Sequence, residues 1–91
     1  MKKLNKKTKP IINPGNHTVL YTVKTSTLNE GTIECFPCPD SKPIKVGDFE
    51  RNVQFVDIFG NNMGRDGYIE EIISTHYYAH GEWIECDLES N

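Results

Sequence analysis

Cys35 and Cys38 have the spacing of half a zinc site, because two thiolates three positions apart on a tight turn can reach one tetrahedral ion. Four ligands are needed and Cys86 is the only other thiol, so His76, His80 or Asp87 would have to complete a set such as Cys35, Cys38, Cys86 and His80. A metal would help a chain of 91 residues, whose core is necessarily thin. With no second paired motif, the plainer reading is two ordinary thiols beside a proline-rich loop and a small core residue at Cys86. As a redox pair, Cys35 and Cys38 lack the helix that lowers a thiol pKa, since Pro39 and Asp40 follow. No metal or other cofactor is expected.

Catalysis is poorly provided for. The three histidines, His17, His76 and His80, sit near no marked nucleophile elbow, and Ser74-Thr75-His76 is a polar run rather than a relay. Glu70 and Glu71 on a strand would point to opposite faces, so they make no paired acid and base unless a bulge brings them together. Gly64-x-x-Gly67 lacks the lysine and following helix of a phosphate-cradling loop. Size points the same way, and the expectation is a protein that is not an enzyme.

The aromatic residues offer the better chemistry. Tyr77, Tyr78 and Trp83 flank Ala79-His80-Gly81-Glu82, and a hairpin there would bring the tyrosines opposite the tryptophan. Ring faces near carboxylates such as Glu82, Glu85 and Asp57 attract cationic side chains by cation–π and charge together. Tyrosine and tryptophan also dominate protein-binding hot spots. The bland alternative places Trp83 and one tyrosine in the core. Stacking on single-stranded bases is a third use, and the charge of the chain opposes it.

That charge is unevenly spread. The net of −3 combines five lysines in the first nine positions (Lys2, Lys3, Lys6, Lys7 and Lys9) with a remainder holding five basic and thirteen acidic residues. The head therefore carries +5 and residues 11–91 carry 5 − 13 = −8. An acidic body favours a cationic partner over a phosphate backbone. A lysine-rich terminus reads the other way, toward nucleic acid, or simply as a solubilising tail. The lysines run into Pro10-Ile11-Ile12-Asn13-Pro14 rather than an apolar stretch, which points away from a signal peptide and toward the cytoplasm. An odd cysteine count of three fits a reducing compartment. No apolar run approaches the ~18 residues of a membrane span.

The elements that must hold these residues read as β. Residues 1–16 form a flexible basic arm and residues 17–91 a single small β domain. From His17 to Thr25, Val19, Tyr21 and Val23 share one strand face and Thr18, Thr22 and Lys24 the other. Leu20 breaks the alternation, as in a strand covered on both sides. Leu28-Asn29-Glu30-Gly31 is a turn signal and Thr32–Cys35 a return strand, which together make a hairpin. Pro37, Pro39 and Pro43 turn residues 36–43 into an irregular loop. Residues 67–79 are ambiguous. Ile69, Ile72, Ile73, His76 and Tyr77 have helical spacing, with Asp66 as cap and Gly81 as stop. The β-branched and aromatic content favours a strand, with a bulge at Glu70-Glu71 repairing the alternation.

Residues 44–88 resemble the small SH3-like barrels, particularly the KOW and Tudor-like branches. The likeness rests on Val46-Gly47-Asp48, on Gly64-Arg65-Asp66-Gly67-Tyr68-Ile69, and on a final aromatic strand, Glu82-Trp83-Ile84-Glu85-Cys86-Asp87-Leu88. The resemblance implies that Gly64 and Gly67 permit tight backbone, that Asp48 caps the turn at Gly47, and that Glu82–Leu88 closes the sheet. In Tudor-like domains a similar aromatic grouping binds methylated lysine or arginine. Two departures stand out: the asparagine-rich turn is long, and the basic positions that KOW modules use on nucleic acid are largely acidic here.

The expected fold is therefore mainly β, a small SH3-like barrel or strongly curved antiparallel sheet. The alternative is an α+β arrangement with one helix at about 67–79. The expected function is a protein–protein interaction module whose acidic, aromatic face, built on Tyr77, Tyr78, Trp83, Glu82, Glu85 and Asp57, binds a basic partner. Acidic mimicry of DNA is a variant of it. The asparagine, lysine and isoleucine content is compatible with a phage or low-GC bacterial regulator of a host protein. The competing expectation is a nucleic-acid- or ribosome-associated protein that binds through Lys2, Lys3, Lys6, Lys7 and Lys9.

Overall fold

The computed structural model describes residues 9–38, 42–55 and 66–89. Its strands are β1 (Ile11–Ile12), β2 (Val19–Thr25), β3 (Ile33–Pro37), β4 (Val53–Phe55), β5 (Ile69–Ala79), β6 (Glu82–Glu85) and β7 (Asp87–Leu88), with a short 3-10 turn at Glu50–Asn52 before β4. Five of them form an antiparallel sheet in the order β4-β3-β2-β5-β6. The other two, β1 and β7, pair in parallel. The domain is mainly β, and no α-helix occurs among the described residues. Nor is any helix there long and apolar enough to cross a membrane.

β2 is the central strand, and its composition explains why. Val19, Tyr21, Val23 and Thr25 are all buried on one face, where Val19, Tyr21 and Val23 pack with Cys35, Ile44, Val53 and Ile69. Leu20 is buried as well, on the opposite face, so the broken alternation does mark a strand covered on both sides at that end. The hairpin to β3 pairs Tyr21 with Cys35 and Val23 with Ile33. Gly31 lies in the intervening turn at φ 89°, a conformation open to glycine at little cost. β3 runs on to Pro37, so Phe36, expected in a loop, is a strand residue.

The helix considered for residues 67–79 does not form; β5 occupies this stretch for 11 residues. The reason for its helical spacing is visible in the register. Thr25 faces Ile69 but Lys24 faces Glu71, and Val23 faces Ile72 but Thr22 faces Ser74. Glu70 and Ile73 are thus extra residues, each making a bulge that shifts the inward positions by one. Ile69 and Ile72 both face the core three positions apart, which an unbulged strand forbids.

Pairing begins inside the stretch assigned to the arm. Asp87 N–H donates to Pro10 O and Glu89 N–H to Ile12 O, both at 2.9 Å, and Ile12 is buried. Lys2, Lys3, Lys6 and Lys7 lie outside the described residues, as do Asp57 and Gly64. Around Gly47, the Asp48 carboxylate accepts the Lys45 N–H at 2.9 Å while Asp48 N–H donates to Lys45 O at 3.0 Å, so Asp48 closes this turn from its far side.

Candidate functional site

A two-residue turn, His80-Gly81, joins β5 to β6, with φ 54° and 80°. Positive φ at both central residues is the turn whose twist matches a hairpin. Ala79 and Glu82 flank it as a paired couple, and Cys86 N–H donates to Thr75 O at 3.0 Å. Counting between these points makes Tyr78 and Trp83 a non-hydrogen-bonded pair, the kind in which opposing side chains come closest. Their rings meet edge to face with centroids 5.1 Å apart. Both stay partly in solvent, Tyr78 at 49% and Trp83 at 39% exposure.

Tyr77 takes the opposite face. It pairs with Ile84 and packs edge-on against His17, ring centroids 5.2 Å apart. The aromatic trio expected at this hairpin is therefore split, with one tyrosine opposite the tryptophan and the other turned away. Glu82, exposed, shares the Tyr77 side of β6 by alternation, whereas Glu85 shares the Trp83 side. The Glu85 carboxylate holds Lys9 Nζ at 3.2 Å.

A third ring joins Trp83 that the sequence did not advertise. Phe36 on β3 approaches it to 6.0 Å, tilted at 44°, although β2 and β5 lie between their strands. The row beneath explains the reach. Gln54 pairs with Phe36, Leu20 with His76 and His76 with Glu85, and Phe36 neighbours Leu20 one step beyond the Tyr21–Cys35 pair. In this row Leu20 is buried, as is the His76 Nδ1 atom, which has no hydrogen-bond partner among the described residues. The only sequence signal was Leu20, an apolar residue on the face expected to be polar.

The proposed metal ligands are scattered. Cys35 faces the core from mid-β3, and burial pushes its thiol up to about 12, with the Glu50 carboxylate adding to the rise. Cys86 is buried too. Burial raises its thiol while a hydrogen bond to Thr75, Sγ to Oγ1 at 4.0 Å, opposes the rise. Cys38 lies past the end of β3 with Sγ 4.0 Å from Arg51 O, and His80 is in the exposed hairpin turn. All three cysteines are free thiols, and no group of three or more His, Cys, Asp or Glu side chains among the described residues is placed to hold a metal ion.

A second exposed aromatic pair sits at the other end of β2. Phe49 and Tyr68 face each other across an isolated antiparallel bridge, and the Arg51 guanidinium lies 4.7 Å over the Phe49 ring. Comparison with models of known families, with curated proteins and with solved structures finds no match to this chain.

Proposed function

We propose that this protein is a non-enzymatic interaction module that binds a basic partner protein on the face carrying Phe36, Tyr78, Trp83 and Glu85. The observation that carries the reading is the meeting of three rings from three strands on a face open to solvent. Rings packed against one another lose little conformational freedom on binding, and tryptophan and tyrosine are the usual anchors of protein interfaces. Glu34 lies on the same face two positions from Phe36, with Glu85 at its edge, and a desolvated cation over a tryptophan gains up to ~2 kcal/mol. The Lys9–Glu85 ion pair supports the choice of a cationic group. The reading includes a regulator of phage or bacterial origin acting on a host protein, and the SH3-like resemblance adds methylated lysine or arginine as ligands.

The test uses a short oligolysine peptide as probe against the full chain, followed by a pull-down from nuclease-treated lysate. Trp83→Ala should weaken peptide binding about tenfold or more, and should remove whatever protein the wild type captures, while the melting temperature stays within a few degrees. Unchanged peptide affinity in a folded Trp83→Ala variant would sink the proposal.

A further inference from the structure

β6 is the last strand of the five-stranded sheet, and among the described residues no strand pairs with its outer edge. The register says which groups lie there. Cys86 N–H donates to Thr75 O, and Tyr77 pairs with Ile84 two steps back, so residues 82, 84 and 86 turn their backbone groups toward β5. Trp83 and Glu85 turn theirs outward. So do Asp87 and Glu89, whose N–H groups donate to Pro10 O and Ile12 O at 2.9 Å. One row of outward amides thus runs from Trp83 to Glu89, and β1 covers only its far half. An open edge of this kind is a template for another strand.

The strand already in that row points to the occupant. β1 runs parallel to β7, with Ile11 opposite Asp87 and Ile12 opposite Leu88. Two positions upstream the same register sets Lys9 opposite Glu85, and their side chains do meet, Nζ to carboxylate at 3.2 Å. Carried back along residues 1–8, which precede the described residues, it sets Thr8 opposite Ile84, Lys7 opposite Trp83 and Lys6 opposite Glu82. Lysine thus falls against carboxylate at positions 9 and 6 and against a half-exposed indole at position 7. A second copy pairing β6 to β6 would instead bring the carboxylates of one chain against those of the other.

We propose that residues 6–8 continue β1 as a parallel strand on the outer edge of β6, with Lys7 over the Trp83 ring and Lys6 beside Glu82. Glu85 N–H then donates to Thr8 O, Trp83 N–H to Lys6 O, and Thr8 N–H to Trp83 O. The arm covers the face proposed for a basic partner, and its role as an internal competitor rests on that proposal. Pro10 keeps the clasp releasable. It has no N–H to offer Glu85 O, so the ladder has a gap where the arm leaves β1. Exposed ion pairs add little to a parallel edge, whereas tethering holds the arm at a local concentration on the order of millimolar. An extended, lysine-bearing segment of a partner displaces it by offering the same groups to the same edge.

The experiment is amide exchange of the full chain at low salt, compared with Thr8→Pro, which deletes one ladder donor without changing charge. The Trp83 and Glu85 amides should be protected in the wild type and exchange about tenfold faster in the variant, while Ile84 and Cys86, bonded to β5, stay slow. A charge swap checks the register: Glu82→Lys should speed exchange at Trp83, and Lys6→Glu added to it should restore protection. Oligolysine should bind Thr8→Pro about three- to tenfold more tightly than the wild type, since the open edge is no longer depleted. Trp83 and Glu85 amides as fast in the wild type as in Thr8→Pro would overturn the proposal. Protection that rises with protein concentration would overturn it too, in favour of a second copy. Equal oligolysine affinities alongside lost protection would strike out the competitor role. Lost protection with no oligolysine binding to either chain would uphold the clasp and remove the basic-partner proposal instead.

Discussion

The α-carbon of Gly67 lies against the buried carboxylate of Glu50 with no room for a methyl group. A side chain there would overlap Glu50 Oε1, and would crowd Thr27 Cγ2 at 2.5 Å and Ser26 Oγ at 2.7 Å. This knot joins three parts of the chain. Thr27 Oγ1 donates to Glu50 Oε1 at 2.5 Å, Glu50 N–H donates to Gly67 O, and Ser26 Oγ accepts the Tyr68 N–H at 3.0 Å. It fixes the end of β2, the 3-10 turn and the start of β5 as one unit, and so sets Phe49 beside Tyr68.

Gly67→Ala should therefore cost about 1–3 kcal/mol, the usual range for forcing extra volume into a packed site. In a domain this small, each kcal/mol lowers the melting temperature by about 4–8 °C, so a thermal melt resolves it. Glu50→Ala should cost a similar amount by stripping the Thr27 hydroxyl of its acceptor. A Gly67→Ala variant that melts with the wild type would mean that the knot loosens without penalty.

The thiols predict a pH window. Cys35 ordinarily ionises at 9.0 but is held protonated to about 12 by burial and by the Glu50 charge. Below pH 9 folded and unfolded chains both carry the proton, so the group adds no pH dependence. Between 9 and 12 the unfolded chain binds fewer protons than the folded one, and stability falls as pH rises, by up to ~1.4 kcal/mol per unit. Tyr21, raised above 10.0 by burial with only partial relief from the Ile44 backbone, steepens the decline. Urea titrations across this range should show it. A thiol reagent at pH 8 should label Cys38 in the folded chain and reach Cys35 and Cys86 only after unfolding.

The hairpin turn can be tuned without touching either aromatic pair. His80 holds φ 54° without being glycine, and His80→Gly or His80→Asn should leave stability level or raise it by a few tenths of a kcal/mol. Gly81, at φ 80° with open space around it, should lose about 1 kcal/mol on conversion to alanine through backbone strain alone. Chemical denaturation of the pair of variants checks the sign of each.

Where sequence spoke plainly, it spoke through local pattern. The alternation from Val19 to Val23 and the turn ending at Gly31 are enough for the first hairpin, and the two-residue spacer between Ala79 and Glu82 is enough for the second. Tyr78 and Trp83 were legible for that reason. The split of Tyr77 from Tyr78 follows from the same alternation, since neighbouring residues of a strand point to opposite faces. Phe36 was hidden because its partner lies on another strand 47 positions away, and no local rule connects them. Glu50 was hidden because a glutamate reads as surface until the backbone of Gly67 closes over it. The β5 bulges mimicked a helix, since each extra residue turns a period of two into a step of three.

The pairing of β1 with β7 left no trace in the pattern, because two residues of parallel strand carry no periodicity. It sets two kinds of contact side by side. Lys9 and Glu85 form an ion pair in which both side chains are about half exposed, and such pairs contribute ~0–1 kcal/mol. Ile12, 8% exposed, stands opposite Leu88, which packs on the core. Burial should dominate charge here. Lys9→Ala should leave the melting temperature within a few degrees and insensitive to salt, whereas Ile12→Ala should cost about 2 kcal/mol, the low end for a buried isoleucine. Amide exchange at Asp87 and Glu89, whose N–H groups bond to Pro10 and Ile12, should accelerate in the Ile12 variant and stay slow in the Lys9 variant. The reverse order would make the ion pair, and not the isoleucine, the clasp that holds the amino-terminal segment to the sheet.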